Sequence, residues 1–306
     1  MKITLFATLM IPFCCVASAI QSIAQSAPAP TGVPASVATA PSTPSQTKSY
    51  GLISVPEIMP GIVAGYLPQA GLPNSLALDP PAPTPGTAVY ALDEAVSRAN
   101  LALQGSPRWQ QATSDADLSF PHVAETFSCS MGIPITEADT PHLYMLLRRS
   151  FTDAALSTYA AKNHYNRTRP FMENNRPTCS PKDEAFLRKD GSYPSGHTTI
   201  GWAWALILTE IAPAQTDAIL ARGRSFGDSR LVCNVHWQSD VNEGRIMGAS
   251  TVARLHADPA FLADLDAAKA DYEIARAKEL NPTRDCAAEA AALATPPPTE
   301  TKPTVH

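Results

Sequence analysis

The chain has 306 residues, 44% of them hydrophobic and 17% charged, with a formal net charge of −5. That length and apolar content exclude a disulfide mini-scaffold and a chain disordered throughout, and predict at least one sizeable core. The acidic balance gives no basic footprint for nucleic acid, and no nucleic-acid partner is expected.

Residues 1–24 read as a signal peptide: Lys2 gives a positive start, Ile3 to Val16 is apolar, and Ala17-Ser18-Ala19 or Ser22-Ile23-Ala24 offers a cleavage site. The alternative is an uncleaved anchor, but the run is short and broken by Pro12. Ile11-Pro12-Phe13 before Cys14 and Cys15 is a poor lipoprotein acceptor. A periplasmic or secreted location follows, with no membrane contact after cleavage, since no later uncharged apolar run reaches ~18 residues. Thirteen of the 29 prolines fall between Pro28 and Pro85 and four between Pro296 and Pro303, so the ends differ from the middle. Residues 25–49, rich in Ala, Pro, Ser and Thr, predict a disordered tether. The folded domain is expected over residues 50–288, opening with an extended Pro-rich arm, and residues 289–306 are expected as a disordered tail.

Apolar spacing predicts helices over residues 88–103, 115–130, 141–165, 197–211, 216–227, 237–255 and 259–278. Gly105 and Pro107 read as the stop of the first, and Pro141 as the first residue of the third. No alternating run predicts a strand. The fold class is all-α, with a single helical domain and the extended N-terminal arm. Trp202 and Trp204 fall inside the most apolar helix and read as core or interface.

Beyond the leader four cysteines remain, Cys129, Cys179, Cys233 and Cys286, an even number that favours two disulfides in an exported chain. Their spacing matches no zinc ribbon. Cys179 and Cys233 lie close in sequence to the polar motifs described next, and a bridge between them would tie two of those segments together. That leaves Cys129 with Cys286, one of three connectivities that four cysteines allow.

Three segments concentrate polar groups that a plain helical domain does not require. The first runs from Lys162 to Pro170 and opens a stretch, to Lys189, with seven Lys/Arg against three Asp/Glu. It is either a solvated basic face or a phosphate site, in which Lys acts as a point charge and Arg as a planar fork. His164, two residues from Lys162, points elsewhere on a helix and reads as structural. The second, Tyr193-Pro194-Ser195-Gly196-His197-Thr198, precedes the apolar helix. Gly196 admits close backbone approach and N–H groups at a helix start attract anions; an ordinary helix cap is the alternative. The third, Ser229 to Asp240, sets His236 and Asp240 one turn apart, where a carboxylate can hold an imidazole tautomer. A structural His–Asp pair or a metal site would also fit.

Lys-x6-Arg-Pro, Pro-Ser-Gly-His and Ser-Arg-x5-His-x3-Asp, in this order, resemble the motifs of the type-2 phosphatidic acid phosphatase superfamily, which includes vanadium haloperoxidases. Lys162-Asn163-His164-Tyr165, Gly191 to Thr198, His236 to Val241 and Gly132-Ile133-Pro134-Ile135-Thr136 are similar to the class A bacterial non-specific acid phosphatases. The resemblance covers roughly residues 66–280; the Pro-rich tether, the C-terminal tail, Cys129 and Cys286 fall outside it. It implies a metal-independent acid phosphatase without cofactor, acting on small-molecule phosphomonoesters of broad range, and a homo-oligomer, a dimer by family. His236 is then the nucleophile, Asp240 its orienting partner and His197 the acid that protonates the leaving alcohol. Lys162, Arg169, Arg230, the Ser195 hydroxyl and the Gly196 N–H hold the phosphoryl oxygens. Such a site stabilises charge without a metal. A vanadate-dependent haloperoxidase on the same residues and a non-catalytic periplasmic phosphate-binding protein are the rival readings.

Overall fold

The computed structural model describes residues 54–294; the segments expected as signal peptide and tether, and the tail beyond 294, lie outside the described residues. The arm holds one antiparallel hairpin, β1 (Glu57–Met59) and β2 (Ile62–Val63), which the sequence reading missed. It turns at Gly61, whose φ of 78° is in the left-handed region. The strands are too short to show alternation, and Pro56 and Pro60 hide them further. Side chains of the first long core helix hold the arm. Arg148 donates to Gly61 O (3.1 Å), Thr152 to Val63 O (2.7 Å), and the Asp153 carboxylate accepts the N–H groups of Tyr66 (2.8 Å) and Leu67 (3.1 Å). At Gly65 the chain lies so close that a Cβ would collide with that carboxylate.

Thirteen α-helices follow in the described residues. First come α1 (Ser75–Leu78), α2 (Ala88–Asn100), α3 (Pro107–Asp115) and α4 (Ser128–Met131). Pro107, read as a stop, is instead the first residue of α3, capped by Ser106 accepting the Trp109 N–H (3.2 Å). The helix expected over 115–130 does not form as one piece. Pro121 lacks an N–H inside it, and only a 3-10 turn (Ala124–Phe127) and α4 remain.

The helix expected over 141–165 is divided at Thr158 into α5 (Pro141–Ser157) and α6 (Tyr159–Tyr165). Thr158 Oγ1 donates to Ala155 O (2.8 Å), while its own carbonyl also accepts from Ser75 Oγ (3.1 Å), so side chains compete for the helical bonds. Short helices α7 (Pro170–Asn174) and α8 (Glu184–Leu187) lead to α9 (Gly196–Ile211), α10 (Thr216–Val232), α11 (Gln238–Leu255) and α12 (Pro259–Ala277). A last helix, α13 (Cys286–Leu293), runs past the domain boundary expected at 288.

α9 is apolar nearly all round and therefore central, with Ile200, Ala203, Trp204, Ile207 and Leu208 buried. Trp204 is core, as expected, and donates to Leu147 O (3.2 Å). α11 crosses close to α9 because Gly244 and Gly248 have no side chain. A Cβ there would stand 2.7 Å from Ser195 O and 2.8 Å from Thr199 O. Asp271 of α12 caps α5 by accepting the N–H of His142 (2.6 Å) and Leu143 (3.1 Å). Two disulfides staple the domain, Cys179–Cys233 and Cys129–Cys286, with Cα separations of 4.7 and 5.5 Å. No helix among the described residues is long and apolar enough to cross a membrane.

Candidate active site

The three polar segments meet where α6, α7, α9, α10 and α11 begin or end. Asn166, at φ 42°, terminates α6 just after Lys162 and reverses the chain towards Arg167 and Arg169. The Gly191–Gly196 loop rests on both neighbours: Ser192 N–H donates to Arg167 O (2.9 Å) and Ser195 N–H to Asp240 O (2.9 Å). A Cβ at Gly191 would sit 2.5 Å from Lys162 O, so this approach requires glycine. Ser195 caps α9, its Oγ accepting the Thr198 N–H (3.3 Å). The third segment is anchored by the Cys179–Cys233 bridge and by Phe171 N–H donating to Asn234 O (3.1 Å).

Lys162, Arg169, Gly196, His197 and His236 form the floor of a cavity of 290 Å³. Ser195, Arg230 and Asp240 are buried and do not line it. His236 and Asp240 are set as their spacing predicts, Nδ1 lying 3.2 Å from Oδ2, and the same carboxylate oxygen accepts the Trp237 N–H (2.8 Å). With Nδ1–H donated to Asp240, the lone pair at Nε2 accepts from Arg169 Nη1 (3.0 Å). Burial first, then the charges of Arg169, Lys162 and Arg230, hold the His236 pKa well below the usual imidazole value. His197 is depressed likewise by burial and then by Arg230. Its Nε2–H donates to Ala116 O (3.2 Å), which leaves Nδ1 as the nitrogen able to exchange a proton.

Asp190 is the carboxylate that faces the cations. Lys162 Nζ donates to its Oδ2 (3.1 Å) and to Gly191 O (2.6 Å); Arg169 Nη2 donates to the same Oδ2 (2.8 Å). Burial and the neighbouring Arg169 bring the Lys162 pKa down to about 8. Arg230 is more exposed electrostatically, since its Nε and Nη1 are buried without a hydrogen-bond partner among the described residues. Two buried donors on a cation, close to two more cations, make a cradle that an anion would complete. Among the described residues no cluster of three or more His, Cys, Asp or Glu could hold a metal.

Residues that the sequence reading did not select complete the arrangement. Arg167 bridges Asp240 Oδ1 (2.7 Å) and Asp93 Oδ2 (2.8 Å), and Asp93 also accepts from the Ser239 N–H (2.8 Å) and hydroxyl (2.6 Å). Asp190 adjoins the Gly191 motif and was within reach of it. Asp93, on α2, carries no local signal.

The PAP2 superfamily model matches residues 141–261, which contain all three segments. The non-specific acid phosphatase of Providencia stuartii is 45% identical over 208 residues, 68% of this chain and 84% of its own. The acid phosphatase of Zymomonas mobilis is 44% identical over 68% of this chain and 78% of its own, and the non-specific acid phosphatase of Salmonella typhimurium is 44% identical over 61% and 76%. The fold and the motif set define a PAP2-type helical domain. The chain belongs to the PAP2 superfamily and, within it, to the class A bacterial non-specific acid phosphatases. Membership makes it a phosphoric monoester hydrolase.

Proposed function

We propose that this chain, once exported, hydrolyses small phosphate monoesters of broad range without a metal, through a phosphohistidine on His236. The observation that carries this reading is the pair of unpartnered donors on buried Arg230, beside Lys162 and Arg169 and next to a neutral, oriented imidazole. Phosphoryl transfer asks chiefly for positioning and for charge at the oxygens, which these groups supply. Arg169 turns its Nη1 from His236 to a phosphoryl oxygen, freeing Nε2. The Nε2 lone pair attacks phosphorus, the bond to the ester oxygen breaks, and His197 Nδ1–H protonates the departing alkoxide. Water then attacks the phosphohistidine, giving its proton to His197, while the P–N bond breaks and restores His236. Asp240 holds the imidazole throughout and stabilises its charged form. The Ser195 hydroxyl and the Gly196 N–H add donors at the start of α9. Export is supported by the signal-like leader together with two disulfides.

The test is p-nitrophenyl phosphate hydrolysis from about pH 4 to 9 with EDTA present, alongside rapid acid-free denaturation to trap phosphate on His236. Acid-side turnover that survives EDTA, with a trapped phosphohistidine that His236→Ala abolishes, is expected. Undiminished turnover by His236→Ala would overturn the mechanism. Vanadate should inhibit; halide oxidation switched on by vanadate would point to a haloperoxidase instead, and phosphate binding without turnover to a binding protein.

A further inference from the structure

The cavity above the phosphate cradle has a floor and a mouth of opposite character. Lys162, Arg169, His197 and His236 line the floor, whereas Ile58, Met59, Ile62, Leu156, Tyr159 and Phe186 line the walls. Twelve large hydrophobic side chains are exposed among the described residues, and five of them, Ile58, Met59, Leu156, Tyr159 and Phe186, belong to this one cavity. Single exposed apolar residues are ordinary, but their concentration at the rim of a polar site marks a binding surface. The β1–β2 hairpin supplies three of the wall residues, and Arg148, Thr152 and Asp153 of α5 fix it in place.

Two of the three wall hydroxyls, those of Thr152 and Thr158 but not that of Tyr159, are already committed. Thr152 donates to Val63 O (2.7 Å) and Thr158 to Ala155 O (2.8 Å). A sugar or polyol entering this mouth would give up water and meet few polar groups in return, the Tyr159 hydroxyl and, deeper, the Asp190 carboxylate. An alkyl or aryl group would instead cover exposed apolar side chains.

Resting on the phosphatase reading, we infer that the mouth is a leaving-group subsite, and that the hairpin and Phe186 select phosphate monoesters of apolar alcohols and phenols over those of sugars and polyols. The phosphate is held at the floor as in any ester; discrimination arises on the alcohol side, at Ile58, Met59 and Phe186.

The experiment compares n-hexyl phosphate with glucose 6-phosphate. Both release primary alcohols, so leaving-group basicity does not decide the result. The wild-type chain should show kcat/KM at least roughly tenfold higher for the hexyl ester. The double substitution Met59→Ser with Phe186→Ser, at two exposed positions, should lower the hexyl value about tenfold, leave the glucose 6-phosphate value within about twofold, and leave inhibition by orthophosphate unchanged. Equal or better use of glucose 6-phosphate by the wild type would overturn the inference, as would equal losses for both esters in the variant. If the wild type turned over neither ester nor phenyl phosphate, the phosphatase reading would fall and the subsite with it.

Discussion

Arg167 Nη1 lies 2.7 Å from Asp240 Oδ1, on the side of the carboxylate away from His236, whose Nδ1 faces Oδ2 at 3.2 Å. Asp240 is thus held from both ends. Burial raises its pKa and Arg167 opposes that rise, while Asp240 and Asp93 outweigh the cost of burying the Arg167 guanidinium. The orientation of His236 therefore depends on a residue that does not line the cavity.

Replacing Arg167 with Lys keeps the charge but loses the fork that spans Asp240 and Asp93. Arg167→Lys should reduce kcat on the order of a hundredfold while inhibition by orthophosphate changes little, because the cradle itself is intact. Steady-state kinetics with orthophosphate as inhibitor checks this. Arg167→Met should in addition destabilise the fold by about 3–5 kcal/mol, since two buried carboxylates lose their counter-charge.

His197 must carry a proton to serve the leaving alcohol, yet in the ligand-free protein burial and Arg230 depress its pKa. A bound phosphate would offset Arg230, Arg169 and Lys162, and so move that pKa upward. Orthophosphate binding should accordingly take up protons at mildly acid pH, and the His197 NMR titration should shift to higher pH on saturation. A titration that stays in place would remove His197 from the acid role.

Asp79 is buried with both carboxylate oxygens unpartnered, and burial, with Glu243 nearby, raises its pKa from 3.8 to about 7. A carboxyl group with a raised folded-state pKa binds its proton more tightly folded than unfolded. Its contribution is complete below the unfolded value and is lost as pH rises through about 7. Asp79→Asn should therefore match the wild-type Tm near pH 4 and exceed it at pH 8, as measured by thermal unfolding at both.

The Gly65→Ala variant would drive a methyl group into the Asp153 carboxylate that holds Tyr66 and Leu67. A loss of about 1–3 kcal/mol is expected from the forced shift. Chemical denaturation at neutral pH measures it, and an unchanged midpoint would mean that the arm adjusts freely.

The three motifs were legible because each packs its chemistry into a few consecutive residues: His236 and Asp240 meet through the first turn of one helix, and Ser195 caps the next. The central helix was equally plain from its apolar run. Arg167 stood in view inside the first segment, but its partner Asp93 comes from a helix far earlier in the chain, and no local spacing joins them. Pro107 misled because a proline after Gly105 fits a helix end as well as a helix start; Ser106, able to cap, decided between them. The break at Thr158 depends on Ser75, which the fold alone brings there. The hairpin stayed hidden since its strands are shorter than any alternation can reveal, in a segment dominated by proline.

The first turn of α9 opens onto the cavity floor through Gly196 and His197, whereas Asp240 occupies the first turn of α11. Of the two long helices that start here, only α9 therefore offers its dipole, equivalent to roughly half a positive charge, to an incoming anion. Fixed partial charges inside a protein are screened by dissolved ions far less than surface charges are. Retention of phosphate at this floor should then be nearly indifferent to ionic strength, in contrast to an anion site assembled from lysines on the surface.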